Sequence, residues 1–430
     1  MKMMIVVILI CMLALFLLKV PVYISMALTG CALMAVTSGM KWSILSQYLY
    51  TGTNSFTLLA IPLFLLAAKL MNTGGITKKL FAFCMRVVGW LPGGLGHVNV
   101  LSSVIFAGMS GTAVSDAGGL GTIEIQAMRE NGFDNDFACC VTAASSTLGP
   151  IIPPSIPLVV YATVSGASVG ALFMAGIIPG IIMAVIMMIV VTLFAIRRHY
   201  PRTKFPTIRE FGQALKEGIL PLMAPIILLV GIYGGIFTPT ESAAIVVLYS
   251  LVLDTIVYKE LTVKKFVYIL KETVRDSLTI ALIIAGATFF GYVATRAKIP
   301  QMILSSMTSV VSSKITLLLI INVFLLIIGC FLETASAITI VVPLILPLLS
   351  AYGVNLTQFG IIMVLNLMIG LLTPPFGLVL FVISKIGNIS IAQFSKALIP
   401  WLIALLTALM LVTFVPQLSL WLPTFLGMNV

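Results

Sequence analysis

GPIIPPSIPLVVYA (149–162) and GLLTPPFGLVLFVI (370–383) carry the same punctuation, Gly-x-x-x-Pro-Pro followed by apolar residues, 221 positions apart. The same offset, without a gap, pairs Gly108 with Gly329, Ser115 with Ser336 and Gly132 with Gly353. Few other residues match, but the coincidences fall on chain-breaking positions, which a duplicated architecture must keep. Each proline removes its own amide hydrogen, and its ring crowds the carbonyl four residues back. Pro153 and Pro154 are therefore expected to disengage the carbonyls of Gly149 and Pro150, and Pro374 and Pro375 those of Gly370 and Leu371. Free carbonyls are tolerated at membrane depth only where they are buried in protein or line a cavity. A bound cation would satisfy them.

That a membrane is the solvent follows from composition. Of the 430 residues 60% are apolar and 9% charged, and the mean hydropathy is +1.19, against about 25% charged residues in a soluble chain. The excess of 24 Lys and Arg over 13 Asp and Glu lies in short loops between apolar runs, a pattern of membrane orientation rather than of nucleic-acid binding. The six cysteines (Cys11, Cys31, Cys84, Cys139, Cys140, Cys330) form no CxxC pair and the only histidines are His97 and His199. Neither a disulfide framework nor metal-centred catalysis is indicated.

Runs of about 20 apolar residues predict spans at 4–18, 22–39, 54–72, 137–163, 171–196, 218–238, 241–258, 277–295, 358–384 and 398–415. Lys19 and Pro21 end the first, which lacks a cleavage site and reads as a helix rather than a secretory signal. The stretches 98–128 and 315–350 are broken at their centres by MSGTAVSDAGGLG and FLETASAITIVVP and read as re-entrant hairpins. Segments 76–91 and 263–275 mix basic and large apolar residues as interfacial helices do; a connecting loop is the alternative for the second. With the basic run 197–216 on the inside, eighteen Lys and Arg fall inside and five outside, and Lys69 sits within the end of a span. Both termini then face outside. The first hairpin opens inward and the second outward, so the duplication is an inverted-topology repeat.

The expected organisation is all-α and polytopic: N-terminal scaffold helices (1–53), a first repeat (54–196), a basic cytoplasmic loop with linking scaffold helices (197–275), a second repeat (276–415) and a C-terminal tail (416–430).

Candidate oxygen donors stand at each tip and each break: Ser110, Gly111 and Thr112 with Ser145, Ser146, Gly149 and Pro150 in the first copy, and Gly329, Glu333, Thr334 and Ser336 with Asn366, Gly370, Thr373 and Pro374 in the second. Neutral hydroxyl, amide and carbonyl oxygens suit an alkali cation better than a transition metal. Helices that start at the tips turn free amides inward and favour an anion, with Ser115, Asp116, Pro153, Pro154, Ser155 and Pro375 around it. Blander readings stand beside these: Ser145, Ser146 and Thr147 can bond back to their own helix, and Glu333 can cap the half-helix that follows. Glu241 in GIFTPTESAA reads as a helix-start signal, and Arg296 and Lys298 are surface residues or a docking point for an external partner.

With these residues in view, the chain resembles the large membrane subunit of tripartite ATP-independent periplasmic (TRAP) transporters, and its sialic-acid members above others. The motifs that carry the resemblance are GMSGTAVSDAGGLGTIEIQAM, SSTLGPIIPPSIPLVVYA, GIFTPTESAA and NLMIGLLTPPFGLVLFV. The resemblance implies an elevator-type secondary transporter in the bacterial inner membrane that imports an organic acid with sodium. By that similarity one sodium site joins the first tip to the break at 145–150, the other joins the tip at 333–336 to the break at 370–374, the acid sits between the tips, and sodium is the only metal and no other cofactor is expected. The resemblance also implies two partners, a small four-helix membrane subunit (Q type) and a periplasmic substrate-binding protein (P type). A C4-dicarboxylate permease, or a stand-alone symporter or antiporter of similar build, is the alternative. An enzyme is not expected: Asp116 and Asp254 sit in no aspartyl-protease motif, and HExxH and a GxxxxGK[ST] phosphate loop are both missing.

Overall fold

The computed structural model describes residues 2–18, 20–37, 40–72, 74–308, 311, 313–428 and 430; Lys19, and Ser38 and Gly39 at the end of the second predicted span, lie outside them. Among the described residues every regular element is helical. Six helices are long and apolar enough to cross a membrane, and the bent pair Ser43–Thr53 and Phe56–Met71, angled by 52°, adds a seventh crossing if read as one span. The protein is a multi-pass membrane protein.

The repeat reappears in the helix bounds. Ala113 and Glu130 bound the trailing limb of the first hairpin, and Thr334 and Ala351, both 221 residues on, bound that of the second. Asn135 and Leu356, at the same offset, start the two broken helices (Asn135–Ser146 with Ile156–Ser165, and Leu356–Gly370 with Leu378–Gly387). The leading limbs are Gly94–Ser110 and Lys314–Gly329. Packing between the copies is reciprocal. Ile156–Ser165 lies on Thr334–Ala351, and Leu378–Gly387 lies on Ala113–Gly118, as a pseudo-two-fold relation requires. In the topology expected from the sequence each hairpin returns the chain to the face it entered. The broken helix, Val169–Arg198, Ile208–Tyr233 and Pro239–Val257 then make four crossings between Ala60–Met71 and Val263–Arg296, which inverts the second repeat relative to the first.

Around the hairpins and broken helices a second body is built. Val263–Arg296 packs on Val22–Val36, Ser43–Thr53 and Ala60–Met71, and Pro239–Val252 packs on Ala60–Met71. Lys69 ties it together across sequence, with Nζ 2.6 Å from Asp276 and 3.4 Å from Glu272. A separate apolar cluster, including Met26, Leu33, Phe289 and Phe290, knits the N-terminal helices to this body.

Three expectations need correction. Segment 263–275 is neither a separate interfacial helix nor a loop: it runs without a break into 277–295 as one helix, Val263–Arg296. No Gly or Pro falls between Val263 and Ala285, and 34 residues make a rod of about 51 Å, so its basic first turns extend beyond the hydrocarbon. Likewise the loop in the basic run 197–216 is shorter than expected, because a capping box closes it early: Thr207 Oγ1 accepts from Glu210 N and Glu210 Oε2 accepts from Thr207 N, which starts Ile208–Tyr233. The C-terminal tail holds a helix, Gln417–Phe425, packed along Val169–Arg198. The expected amphipathic segment at 76–91 forms the helix Gly74–Val88. The Glu241 reading also appears as expected, with Thr238 as N-cap, Pro239 next and Glu241 closing a second capping box.

Candidate functional site

Each hairpin tip meets the break of its own repeat, backbone against backbone. At the first tip Gly111 has φ +62° and ends the leading limb, and only a residue without a Cβ fits: an added Cβ would lie 2.8 Å from Pro154 O. Gly111 O accepts from Ile156 N at 3.4 Å. A Cβ on Gly149 would lie 3.3 Å from Thr112 O. Thr112 caps the short tip helix by accepting from Ser115 N at 3.3 Å. The sequence-predicted residues Ser110, Gly111, Thr112, Gly149 and Pro154 are thus brought together.

At the second tip the approach is closer. A Cβ on Gly370 would strike the Cα of Gly329 at 2.5 Å and its oxygen at 2.8 Å. Glu333 is the N-cap of Thr334–Ala351, its Oε2 accepting from Ala335 N at 3.0 Å and Ser336 N at 3.2 Å. Phe331 and Phe376, both about half exposed, face each other at 5.7 Å.

The fate of the carbonyls differs from the proline argument in three of four places. In the second break Thr373 N donates to Gly370 O at 3.0 Å and Leu380 N to Leu371 O at 3.4 Å. In the first, Pro150 O accepts from the Ser155 hydroxyl. Short-range turns and a nearby hydroxyl have taken up what the rings released. Gly149 O alone accepts no hydrogen bond among the described residues, because Ile152 N, the last amide before the prolines, donates to Leu148 O instead. Its surroundings are buried: Ser145, Ser146 and Thr147 are at most 1% exposed.

Side chains sort by where their hydrogens go. Ser146 and Thr147 donate back to Ala143 O and Ala144 O, at 2.8 and 2.6 Å. Ser145 donates outward, to Asn99 Oδ1 at 2.7 Å, with a longer contact to Thr142 O, and accepts from Ser103 at 3.1 Å. Ser110 Oγ and Asp116 Oδ2 are buried without a partner. In the second copy Asn366 donates to Asn322 Oδ1 at 2.8 Å and its own Oδ1 is unpartnered; Thr373 Oγ donates back to Ile369 O at 2.8 Å.

Of the residues expected around an anion, Ser115 is partly exposed and Pro375 exposed, whereas Asp116, Pro153, Pro154 and Ser155 are buried. Ser155 is committed twice, to Pro150 O and as N-cap of Ile156–Ser165. Arg296 and Lys298 are exposed at the end of Val263–Arg296, with Lys298 at φ +59° in the bend to Ile299–Thr308.

Sequence reasoning missed the polar residues behind the breaks. Asn99, Glu124 and Thr142 form one buried group, Asn99 Nδ2 lying 2.7 Å from both Glu124 Oε2 and Thr142 Oγ1. Asn322 and Gln358 form another, with Asn322 donating to Thr413 Oγ1 and Gln358 to Val412 O and Thr413 O. The signal was present: Asn322 is a lone amide in KITLLLIINVFLLIIG.

On the basic face, outside the membrane, Asp134 accepts from the Tyr200 hydroxyl at 2.7 Å and from Arg198 at 2.8 Å. The Tyr200 bond first, then Arg198, holds its carboxyl below the usual range.

The family described as the DctM component of the tripartite ATP-independent periplasmic transporter matches residues 9–418. The chain is 42% identical over 408 residues to the sialic acid TRAP transporter large permease protein SiaM of Vibrio cholerae, covering 95% of this chain and 96% of that protein. It is 36% identical over 428 residues to the C4-dicarboxylate TRAP transporter large permease protein DctM of the same species, covering 95% and 94%. Among solved structures the YdaH transporter of Alcanivorax borkumensis, described as having an unusual topology, superposes with a TM-score of 0.66 over 93% of this chain and 97% of that one, at 14% identity, and shares the fold.

Proposed function

The chain belongs to the DctM component family of tripartite ATP-independent periplasmic transporters, a membrane permease and not an enzyme, and on that premise we propose that it imports an organic acid, sialic acid foremost, driven by sodium. The observation that carries the coupling is the Gly149 carbonyl, buried beside Ser145 and Ser146 and without a donor. An orphaned buried oxygen costs about 1–3 kcal/mol, and a sodium ion is the ligand that would offset it. Ser110 Oγ and the Ser145 hydroxyl supply further neutral oxygens. Asn366 Oδ1, unpartnered and near the close approach of Gly329 and Gly370, would serve the second ion. The acid's place is between the tips, where Ser115, Phe331, Pro375 and Phe376 leave an exposed surface. The preference for sialic acid rests on the similarity to the Vibrio cholerae SiaM protein; a C4-dicarboxylate is the alternative that the second relative supports.

In this reading the hairpins and broken helices move as one body against the frame built on Val263–Arg296, as an elevator. A small membrane subunit widens that frame, and a periplasmic binding protein delivers the acid to the outer face of the inner membrane. The termini lie outside, as the basic loops imply.

The test is uptake into proteoliposomes holding this chain, a small subunit and a binding protein. Uptake of radiolabelled sialic acid should require an inward sodium gradient and fail with Asp116→Ala or Ser145→Ala at normal expression. Equal accumulation on potassium or on a proton gradient alone overturns the coupling. Uptake by the chain without a binding protein overturns the tripartite reading.

A further inference from the structure

Glu124 has no part in the reading above. It lies on the trailing limb of the first hairpin, Leu120–Glu130, and is 1% exposed. The titratable groups facing it from neighbouring elements are Asp116 on the tip helix and Cys84 on Gly74–Val88; neither brings a positive charge. His97 shares a helix with Asn99 but pairs with Thr192. Oε1 of Glu124 has no partner, and Oε2 has one, Asn99 Nδ2 at 2.7 Å.

An Asn side chain accepts at one end and donates at the other. Glu124 Oε2 accepts from the NH2 end of Asn99, as does Thr142 Oγ1, whose own hydrogen goes to Ala138 O, and together they turn Asn99 Oδ1 toward Ser145. Ser145 answers by donating its only hydroxyl hydrogen there, at 2.7 Å. The bonds run in one direction, Ser103 to Ser145 to Asn99 to Glu124. With its hydrogen spent on Asn99 and one lone pair taken by Ser103, Ser145 keeps one lone pair, and a cation binds lone pairs. Were Asn99 reversed, its NH2 would donate to Ser145 and compete for that pair.

The geometry points to Glu124 as a positioning residue for the first cation site, fixing the Asn99 amide so that the Ser145 oxygen is presented to the ion. The inference rests on the sodium-coupled reading of the site. The second copy lacks the device: position 345, the equivalent of 124, is Ile345, and Asn366 meets the amide of Asn322, not a carboxylate. Only one of two sodium sites should therefore respond.

Glu124→Gln tests this, because glutamine keeps the shape but can face either end of Asn99. The readout is the sodium-induced rise in melting temperature of the purified chain, with choline chloride as the ionic-strength control. The half-saturating sodium concentration of one phase should rise by about 3- to 10-fold, the worth of one oriented hydrogen bond. The other phase and the melting temperature without sodium should stay put. In a Ser145→Ala background Glu124→Gln should add nothing further. Should Glu124→Gln not fold, Asn99→Ala, which removes the link and leaves Glu124, must give the same shift and the same loss of effect in Ser145→Ala. A sodium curve unchanged in the variant, or shifted equally with and without Ser145, overturns the inference. A wild-type protein indifferent to sodium overturns the coupling reading itself, and this inference with it.

Discussion

Replacing Gly370 by alanine puts one methyl group where the two glycine backbones touch. The added carbon would lie 2.5 Å from Gly329 Cα and 2.8 Å from Gly329 O, against about 3.5–4.0 Å for an ordinary carbon contact. Both obstacles are backbone, so no side chain can swing away and the tip must part from the break by about 1 Å. Overpacking of this kind costs about 1–3 kcal/mol, which is roughly a 5- to 140-fold loss in the population of the closed tip and break. The reverse replacement, Gly329→Ala, meets Gly370 Cα and Leu367 Cα only at 3.2 Å, and a few tenths of an ångström relieve it. Gly149→Ala in the first copy resembles the milder case, at 3.3 Å from Thr112 O. The measurement is initial sodium-driven uptake, with melting temperature in detergent alongside. Gly370→Ala should lose about 5- to 140-fold in uptake, and Gly329→Ala and Gly149→Ala much less. If the three are equal, or Gly370→Ala transports as the wild type does, the closeness of the second tip has no part in transport.

Lys69→Met should destabilise the frame by about 0.5–1 kcal/mol, since Lys69 is only 20% exposed while both its carboxylate partners stand half in water; the difference in melting temperature should shrink at about 1 M salt. Asp134 titrates below its ordinary range when folded, so its pairing contributes stability that is present above the unfolded carboxylate value of about 3.9 and lost as pH falls through the folded one. The gap in melting temperature between wild type and Asp134→Asn should therefore narrow as pH falls below about 4 and on through the folded value, and a constant gap would refute the pairing. Ser155→Ala removes a helix cap and the donor to Pro150 O. It should lower stability by about 1–2 kcal/mol and leave the substrate concentration for half-maximal uptake unchanged, whereas a raised value would make Ser155 a ligand.

The duplicated Gly and Pro were legible because they act through the backbone alone, and the offset of 221 reappears in the bounds of the helices they interrupt. What the freed carbonyls do was not legible, because it depends on which neighbour moves in. Ile152 N turns to Leu148 O, but Thr373 N at the equivalent position turns to Gly370 O, and no local preference distinguishes the two. The helix Val263–Arg296 was divided because hydropathy changes at residue 276 while helical propensity does not. Nothing local singles out Glu124 within GMSGTAVSDAGGLGTIEIQAM, because its importance lies in a contact with Asn99, 25 residues away. Lone polar residues in apolar runs are the class that this kind of reading underweights.

The repeat recurs in the bounds of the trailing limbs and the starts of the broken helices and is unequal in chemistry. In the first copy the break is buried and Gly149 O is left without a donor, backed by a hydrogen-bonded chain that ends on a carboxylate. In the second, Gly370 O and Leu371 O have donors, Pro374 and Pro375 are exposed, and the backing is amide to amide. Inverted symmetry constrains how two bodies can rock past each other, but it does not require the two sites to bind alike. A carboxyl group backs the first break through Asn99, and an amide backs the second. The first site, with its buried carbonyl left without a donor among the described residues, should therefore fill at lower sodium concentration. On the proposed function the second, with its prolines and Phe376 exposed, is the one whose filling can depend on the acid.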